Sequence, residues 1–215
     1  MKKLLKAMLV AFGVIVAAIV GYVGYRRLLV NHQFVSAPAS GYEVVSRPTP
    51  NIRHGRNEVW GVVLHQTCTK DAKTAVRSLT SSHDKKSAHV VIDYDGTRYV
   101  LAPPTAITMH AGRSLYKGRT DLNRYTIGIE FQANAVECLF RPLTEKQIAS
   151  AIEYLKPIIK EYNISLDNIT THTIIRTAWN EAHPEKKGGF RADIPSWEYE
   201  RFMNRLRNAM EEDKQ

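Results

Sequence analysis

The chain has 215 residues, 44% of them hydrophobic and 24% charged, which excludes a disordered polymer and gives room for one well-buried domain with an appendage. A formal charge of +9 and a pI of about 9.6 favour polyanionic surroundings, whether nucleic acid, anionic lipid or an acidic wall polymer. No arginine-rich or aromatic RNA-binding signature accompanies that charge, so a nucleic-acid partner is not expected.

Residues 7–25, AMLVAFGVIVAAIVGYVGY, carry no charge; they follow MKKLLK and precede Arg26 and Arg27. At about 1.5 Å per residue such a run nearly matches a hydrocarbon layer of roughly 30 Å. It is long for the apolar part of a cleaved signal peptide and ends without an A-x-A site. Residues 1–30 are therefore expected to be an uncleaved signal-anchor, a single transmembrane helix. Lys2, Lys3 and Lys6 favour a cytoplasmic N-terminus, with the rest of the chain on the periplasmic or cell-wall side. Gly13, Ala17 and Gly21 recur at four-residue spacing, a small-residue face that suits a weak homodimer in the membrane. Residues 31–58, with Pro38, Pro48 and Pro50, read as a linker and an irregular lead-in.

From Val59 to Glu212 the pattern tightens. GVVL (61–64) is a predicted strand, 71–83 a short helix, and HVVIDYDGTRYVLA (89–102) a hairpin turning on Asp95-Gly96. RYTIGIEFQ (124–132) is a second β-rich run. LTEKQIASAIEYLKPIIKEY (143–162) is an amphipathic helix with a Thr144/Gln147 capping box and Pro157 near its end. NITTHTII (168–175) reads as a short strand, and SWEYERFMNRLRNAMEE (196–212) as a C-terminal helix with Trp197, Phe202 and Leu206 as core contacts. Strands mixed with helices around a central hairpin predict one α/β domain with a mixed sheet flanked by helices.

Residue by residue, the chemistry stays open. His65 ends one predicted strand and His172 lies in another; taken alone, each reads as a buried hydrogen-bonded or surface histidine more readily than as a metal ligand. Glu130, at the end of an apolar strand, could pair with Arg124. His89 alternates with apolar residues and reads as structural, His54 and His83 as exposed, and Asp93 and Asp95 as turn residues. Arg113, Lys117 and Arg119 are either a solvated loop or a basic rim for carboxylates. Two cysteines, Cys68 and Cys138, are too few for a disulfide scaffold or a Cys-based zinc site; whether they bridge is open.

Read together, VVLHQT (62–67), SAHVVIDYDGT (87–97), MHAGRS (109–114) and TIGIEF (126–131), followed by a late histidine and an acidic residue, resemble the zinc-dependent N-acetylmuramoyl-L-alanine amidases of the type 2 amidase and peptidoglycan-recognition-protein group. The resemblance covers roughly residues 58–203. It implies a Zn2+ site made by His65, His172 and Asp193, with Glu130 as general base. His110 would be a cleft histidine contacting substrate, and Arg113 a substrate-binding residue on the rim. Arg191 would be a catalytic or binding cation in a place where the family carries lysine. The implied reaction is hydrolysis of the amide between N-acetylmuramic acid and L-alanine of the peptidoglycan stem peptide. A binding module without catalysis on the same fold is the alternative. The late segment departs from the family: Asp193 stands 21 residues after His172, with TAWNEAHPEKKGGF (177–190) looking like an inserted loop. That loop contains His183, a rival third ligand. Asp193 ranks above it because R-A-D-I-P keeps a basic-x-acidic arrangement ahead of the C-terminal helix.

Overall fold

In chain order the fold begins with β1 (Val44–Ser46), β2 (Ile52–Arg53), β3 (Gly61–Gln66) and helix α1 (Ala72–Leu79). The hairpin β4 (Val90–Ile92) and β5 (Arg98–Val100) follows, then the short strands β6 (Ile107–Thr108), β7 (Leu115–Tyr116) and β8 (Arg119–Thr120). The second half holds β9 (Thr126–Phe131), α2 (Glu145–Tyr162), β10 (Ile169–Thr171), α3 (His172–Ala182) and α4 (Ser196–Glu212). This computed structural model describes residues 41–136, 138, 140–186, 188–189 and 193–212. The apolar run 7–25, with its Gly13, Ala17 and Gly21 face, and Arg191 lie outside the described residues. Among the described residues no helix is long and apolar enough to cross a membrane.

The main sheet runs β1-β5-β4-β9-β3-β10. The β4–β5 hairpin is antiparallel, and every other pairing in it is parallel, so the sheet is mixed as expected. The paired strands β3 and β9 alternate strictly. Val62, Leu64, Ile127, Ile129 and Phe131 point into one core with Ile148, Ala151 and Leu155 of α2 and Phe202, Met203 and Leu206 of α4. Phe131 meets Phe202 edge-on, ring centroids 5.8 Å apart. Val63 packs on the opposite face with Ala111, Leu122 and Ile175, while Val91 meets Ala72, Ala75, Val76 and Leu79 of α1. Helices thus cover both faces, as a largely parallel sheet requires.

Local signals are realised where they are strong. Thr144 Oγ1 accepts from Gln147 N at 3.0 Å, and Gln147 Oε1 accepts from Thr144 N at 3.0 Å, completing the capping box. Gly96, at φ +90°, turns the β4–β5 hairpin. Four expectations are corrected. Trp197, read as a core contact of the C-terminal helix, is 48% exposed, whereas Phe202 and Leu206 are buried. Part of the stretch read as linker is sheet: β1 pairs with β5, anchored by Arg98 N–H on Glu43 O at 2.8 Å. β1 is an edge strand with Val44 and Ser46 exposed, so its sequence lacks the apolar alternation of a half-buried strand. The strand predicted over 168–175 ends at Thr171, and His172 opens helix α3. Thr171 Oγ1 accepts from Ile174 N at 3.4 Å, so the same β-branched residue closes the strand and caps the helix. Half of the supposed inserted loop is helical as well, since α3 continues to Ala182 and a 3-10 turn follows over Pro184–Lys186.

His89 is fully buried, as its alternation suggests. Its Nε2 donates to Ala106 O at 3.1 Å, while Nδ1 accepts from Gly128 N at 2.9 Å and lies 3.0 Å from Thr108 Oγ1. Burial lowers its pKa to about 4 from the ordinary 6.5. A histidine kept neutral in the fold but free to protonate when unfolded favours the unfolded chain as pH falls. Stability is complete above pH 6.5 and declines down to about pH 4, by a total on the order of 3 kcal/mol. Urea unfolding across this range should show that slope, and it should shrink in His89→Gln.

Candidate metal centre and cleft

The sheet register assembles the site. His65 pairs with Glu130, and Leu64 with Thr171. His172, one residue past Thr171, therefore comes level with His65, and two neighbouring strands and the first residue of helix α3 bring a glutamate and two histidines together. Asp193 reaches the same place from the far end of the chain. Its N–H donates to Thr173 Oγ1 at 3.0 Å, its Oδ1 accepts from the Gln66 backbone N–H, and Ile194 beside it is buried in the core.

The donor atoms converge. His65 Nδ1 is 3.2 Å from His172 Nδ1, and Asp193 Oδ2 lies 3.5 Å from the first and 3.6 Å from the second. All three side chains are buried. Zinc takes imidazole nitrogen and carboxylate oxygen at about 2.0–2.2 Å, so the edge of its tetrahedron is about 3.3–3.6 Å. The observed separations match that edge. Two neutral imidazoles and one carboxylate are also an ordinary catalytic zinc donor set, with one coordination position left for water or substrate. The residues present fit zinc.

The cluster opens into a cavity of about 360 Å³. Glu130, half-buried, lines it together with His110, Thr67, Thr69 and Met109, and the α1 face contributes Ala75, Ser78 and Leu79. Lys86 supplies a cation on the same wall. Its loop is pinned by Asn51 Nδ2, which donates to Ser81 O at 2.7 Å and Lys86 O at 2.8 Å. Cys68 and Cys138 form a disulfide with Cα atoms 5.4 Å apart, which answers what the sequence leaves open. Cys68 is itself part of the cavity wall.

The other residues singled out from sequence fall as follows. Arg124 gives its Nε to Asp121 at 3.2 Å. Arg113 is exposed and donates to Lys186 O at 3.1 Å, outside the cavity wall. His183 stacks on Trp179 with centroids 3.8 Å apart, its Nδ1 3.1 Å from Trp179 O, and it is not part of the ligand cluster. His54 and His83 are exposed. His110 is buried, and burial, reinforced by neighbouring His65, His89 and His172, pushes its pKa well below the ordinary histidine value.

Residues 55–187 match the family model of Amidase_2, N-acetylmuramoyl-L-alanine amidase. The chain belongs to this family. It is similar to AmiD, an N-acetylmuramoyl-L-alanine amidase of Escherichia coli strain K12, at 31% identity over 148 residues, 63% of this chain and 51% of AmiD. It is also similar to AmpD of Enterobacter cloacae, a 1,6-anhydro-N-acetylmuramyl-L-alanine amidase, at 28% identity over 132 residues, 61% of this chain and 63% of AmpD. The chain thus spans about half the length of the first relative and under two thirds of the second. A selenomethionine derivative of AmpD shares the fold, with a TM-score of 0.55 at 19% identity, covering 79% of this chain and 98% of that one. The family match ends at residue 187, so the place of Asp193 in the site is supported by the geometry and not by that match.

Residue-level reading missed three contributors. In TIGIEF the positions that do not enter the core, Thr126, Gly128 and Glu130, share the site face by the period of two. Gly128 is needed because a Cβ there would collide with the His110 ring. Asn123 Oδ1 accepts from both His110 N and Ala111 N, at 3.0 and 2.8 Å, and so fixes the loop that carries the histidine. The alternation was visible in the sequence; the partner of Asn123 was not. For the ligand set, Asp193→Ala should abolish stoichiometric zinc in the purified chain, whereas His183→Ala should retain it, as elemental analysis can establish.

Proposed function

We propose that this chain is a zinc-dependent peptidoglycan amidase that cleaves the bond between N-acetylmuramic acid and L-alanine of the stem peptide. The observation that carries this reading is the His65–His172–Asp193 cluster, at zinc-ligand spacing, sharing one cavity with Glu130. Membership of the amidase family and likeness to AmiD and AmpD support it.

When bound, zinc supplies the positive charge that lowers the pKa of a water towards about 7 and polarises an amide carbonyl. The protein's own part is positioning and proton transfer. His65 and His172 donate as neutral imidazoles, and Asp193 brings one negative charge, so a divalent ion there keeps a net +1. Glu130, in register with His65, takes the proton of the attacking water and returns it to the leaving amine. Lys86, on the cavity wall, complements the carboxylates of a stem peptide. Arg191 stands near Asp193 in sequence and belongs to this proposal as a binding cation.

We also propose that residues 1–30 anchor the enzyme in a membrane with its domain on the extracytoplasmic side. The apolar run 7–25 supports this, and the Cys68–Cys138 disulfide fits an oxidising compartment.

The purified chain incubated with muropeptides should release free stem peptide. A metal chelator should stop the reaction and added zinc restore it. Glu130→Ala should retain zinc and lose activity by at least a hundredfold, the lower range for a general base. Stoichiometric zinc with no release, unaffected by Glu130→Ala, would instead identify a binding module without catalysis. For topology, a reporter active only outside the cytoplasm, fused at the C-terminus, should be active; an inactive fusion rejects the exported domain.

A further inference from the structure

A line of hydrogen bonds behind His65 determines which of its nitrogens faces the ligand cluster. The line is read most simply from its far end. Thr126 Oγ1 donates to Leu122 O at 2.6 Å. A carbonyl can only accept, so the hydroxyl spends its single hydrogen there. His110 Nε2, 3.3 Å from the same hydroxyl oxygen, must then be the donor. A neutral imidazole has one N–H, which leaves His110 Nδ1 with a lone pair. That lone pair lies 3.1 Å from His65 Nε2, which must donate to it. His65 Nδ1 is thereby left as a lone pair aimed at His172 Nδ1 and Asp193 Oδ2.

The ring that relays this order is tightly held. The backbone N–H groups of His110 and Ala111 both end on Asn123 Oδ1, and the imidazole occupies the space a side chain at Gly128 would fill. Both ring nitrogens of His110 are engaged, one by His65 and one by Thr126. We infer that His110 is a positioning residue, which with Thr126 fixes His65 as an Nδ1 donor toward the metal, rather than the substrate contact that family resemblance implies. Ligand histidines are commonly oriented by a carboxylate, carbonyl or water; here the orienting group is a second histidine backed by a threonine. The inference rests on the zinc reading of the site given above.

The test measures the zinc dissociation constant by chelator competition on the full chain and three variants, with melting of each metal-free protein as the folding control. His110→Leu removes the acceptor and should weaken zinc binding 10–100-fold, the usual effect of losing such a partner. His110→Gln keeps an amide oxygen able to accept from His65 and should recover most of that loss. Thr126→Val removes only the far end of the line and should weaken zinc several-fold with the fold retained. Wild-type affinity in His110→Leu, or equal loss in the Leu and Gln variants, overturns the inference while leaving the zinc site standing. If His110→Leu does not fold, Thr126→Val decides, and unchanged affinity there overturns it. A wild-type chain that takes up no zinc overturns the zinc reading itself, and this inference with it.

Discussion

The in-register pairing of β3 with β9 is the constraint from which the rest of the site descends. Because side chains alternate along a strand, burying Val62, Leu64, Ile127, Ile129 and Phe131 on one face commits Val63, His65, Gly128 and Glu130 to the other. A slip of one residue would send the entire apolar set out of the core. Burying each of those side chains is worth about 1.5–3 kcal/mol, so several together far outweigh the few hydrogen bonds of a shifted ladder. The position of His65 beside Glu130 is thus enforced by hydrophobic burial that takes no part in chemistry.

The polar half of the site is assembled against that apolar frame at a cost. Two imidazoles and a carboxylate are buried within hydrogen-bonding distance of one another, an arrangement that needs either a cation or full hydrogen-bond satisfaction. The Gln66 N–H answers one oxygen of Asp193, and the other faces the two histidines. The long return from His172 to Asp193 is fastened at separate points instead of hanging free. Asn180 exchanges two hydrogen bonds with Gly188, at 3.0 and 3.2 Å, and Arg113 holds the carbonyl of Lys186. Extra chain length between two ligands is tolerated because, among the described residues, Gly188 is tied back to helix α3 and Lys186 to the loop after His110.

Features decided within a few residues were legible in the sequence. The capping box of Thr144 and Gln147, the Asp95-Gly96 turn and the helix over 196–212 depend on near neighbours and formed where local chemistry put them. Residues 172–175 were misread because Thr171 is β-branched and suits the strand it closes, while its hydroxyl also suits a helix start, and only the chain beyond it decides where the strand stops. β1 was missed because an exposed edge strand carries little apolar pattern. The metal centre could not be derived from spacing at all, since His65 lies 107 residues before His172 and further still before Asp193, and the sheet is what brings it to them. Family resemblance supplied those positions. It did not supply the place of His110, which depends on the missing side chain of Gly128 on a neighbouring strand.

The disulfide acquires a meaning from where its two ends leave the sheet. Cys68 lies just beyond the end of β3 and Cys138 a short way beyond the end of β9. The ladder between the two strands is therefore closed by a covalent rung at the end that carries His65 and Glu130. Strand pairs ordinarily fray from their ends, where opening costs least. A covalent link there keeps the two chains together as they leave the sheet, so local opening is disfavoured at the edge that holds the ligands.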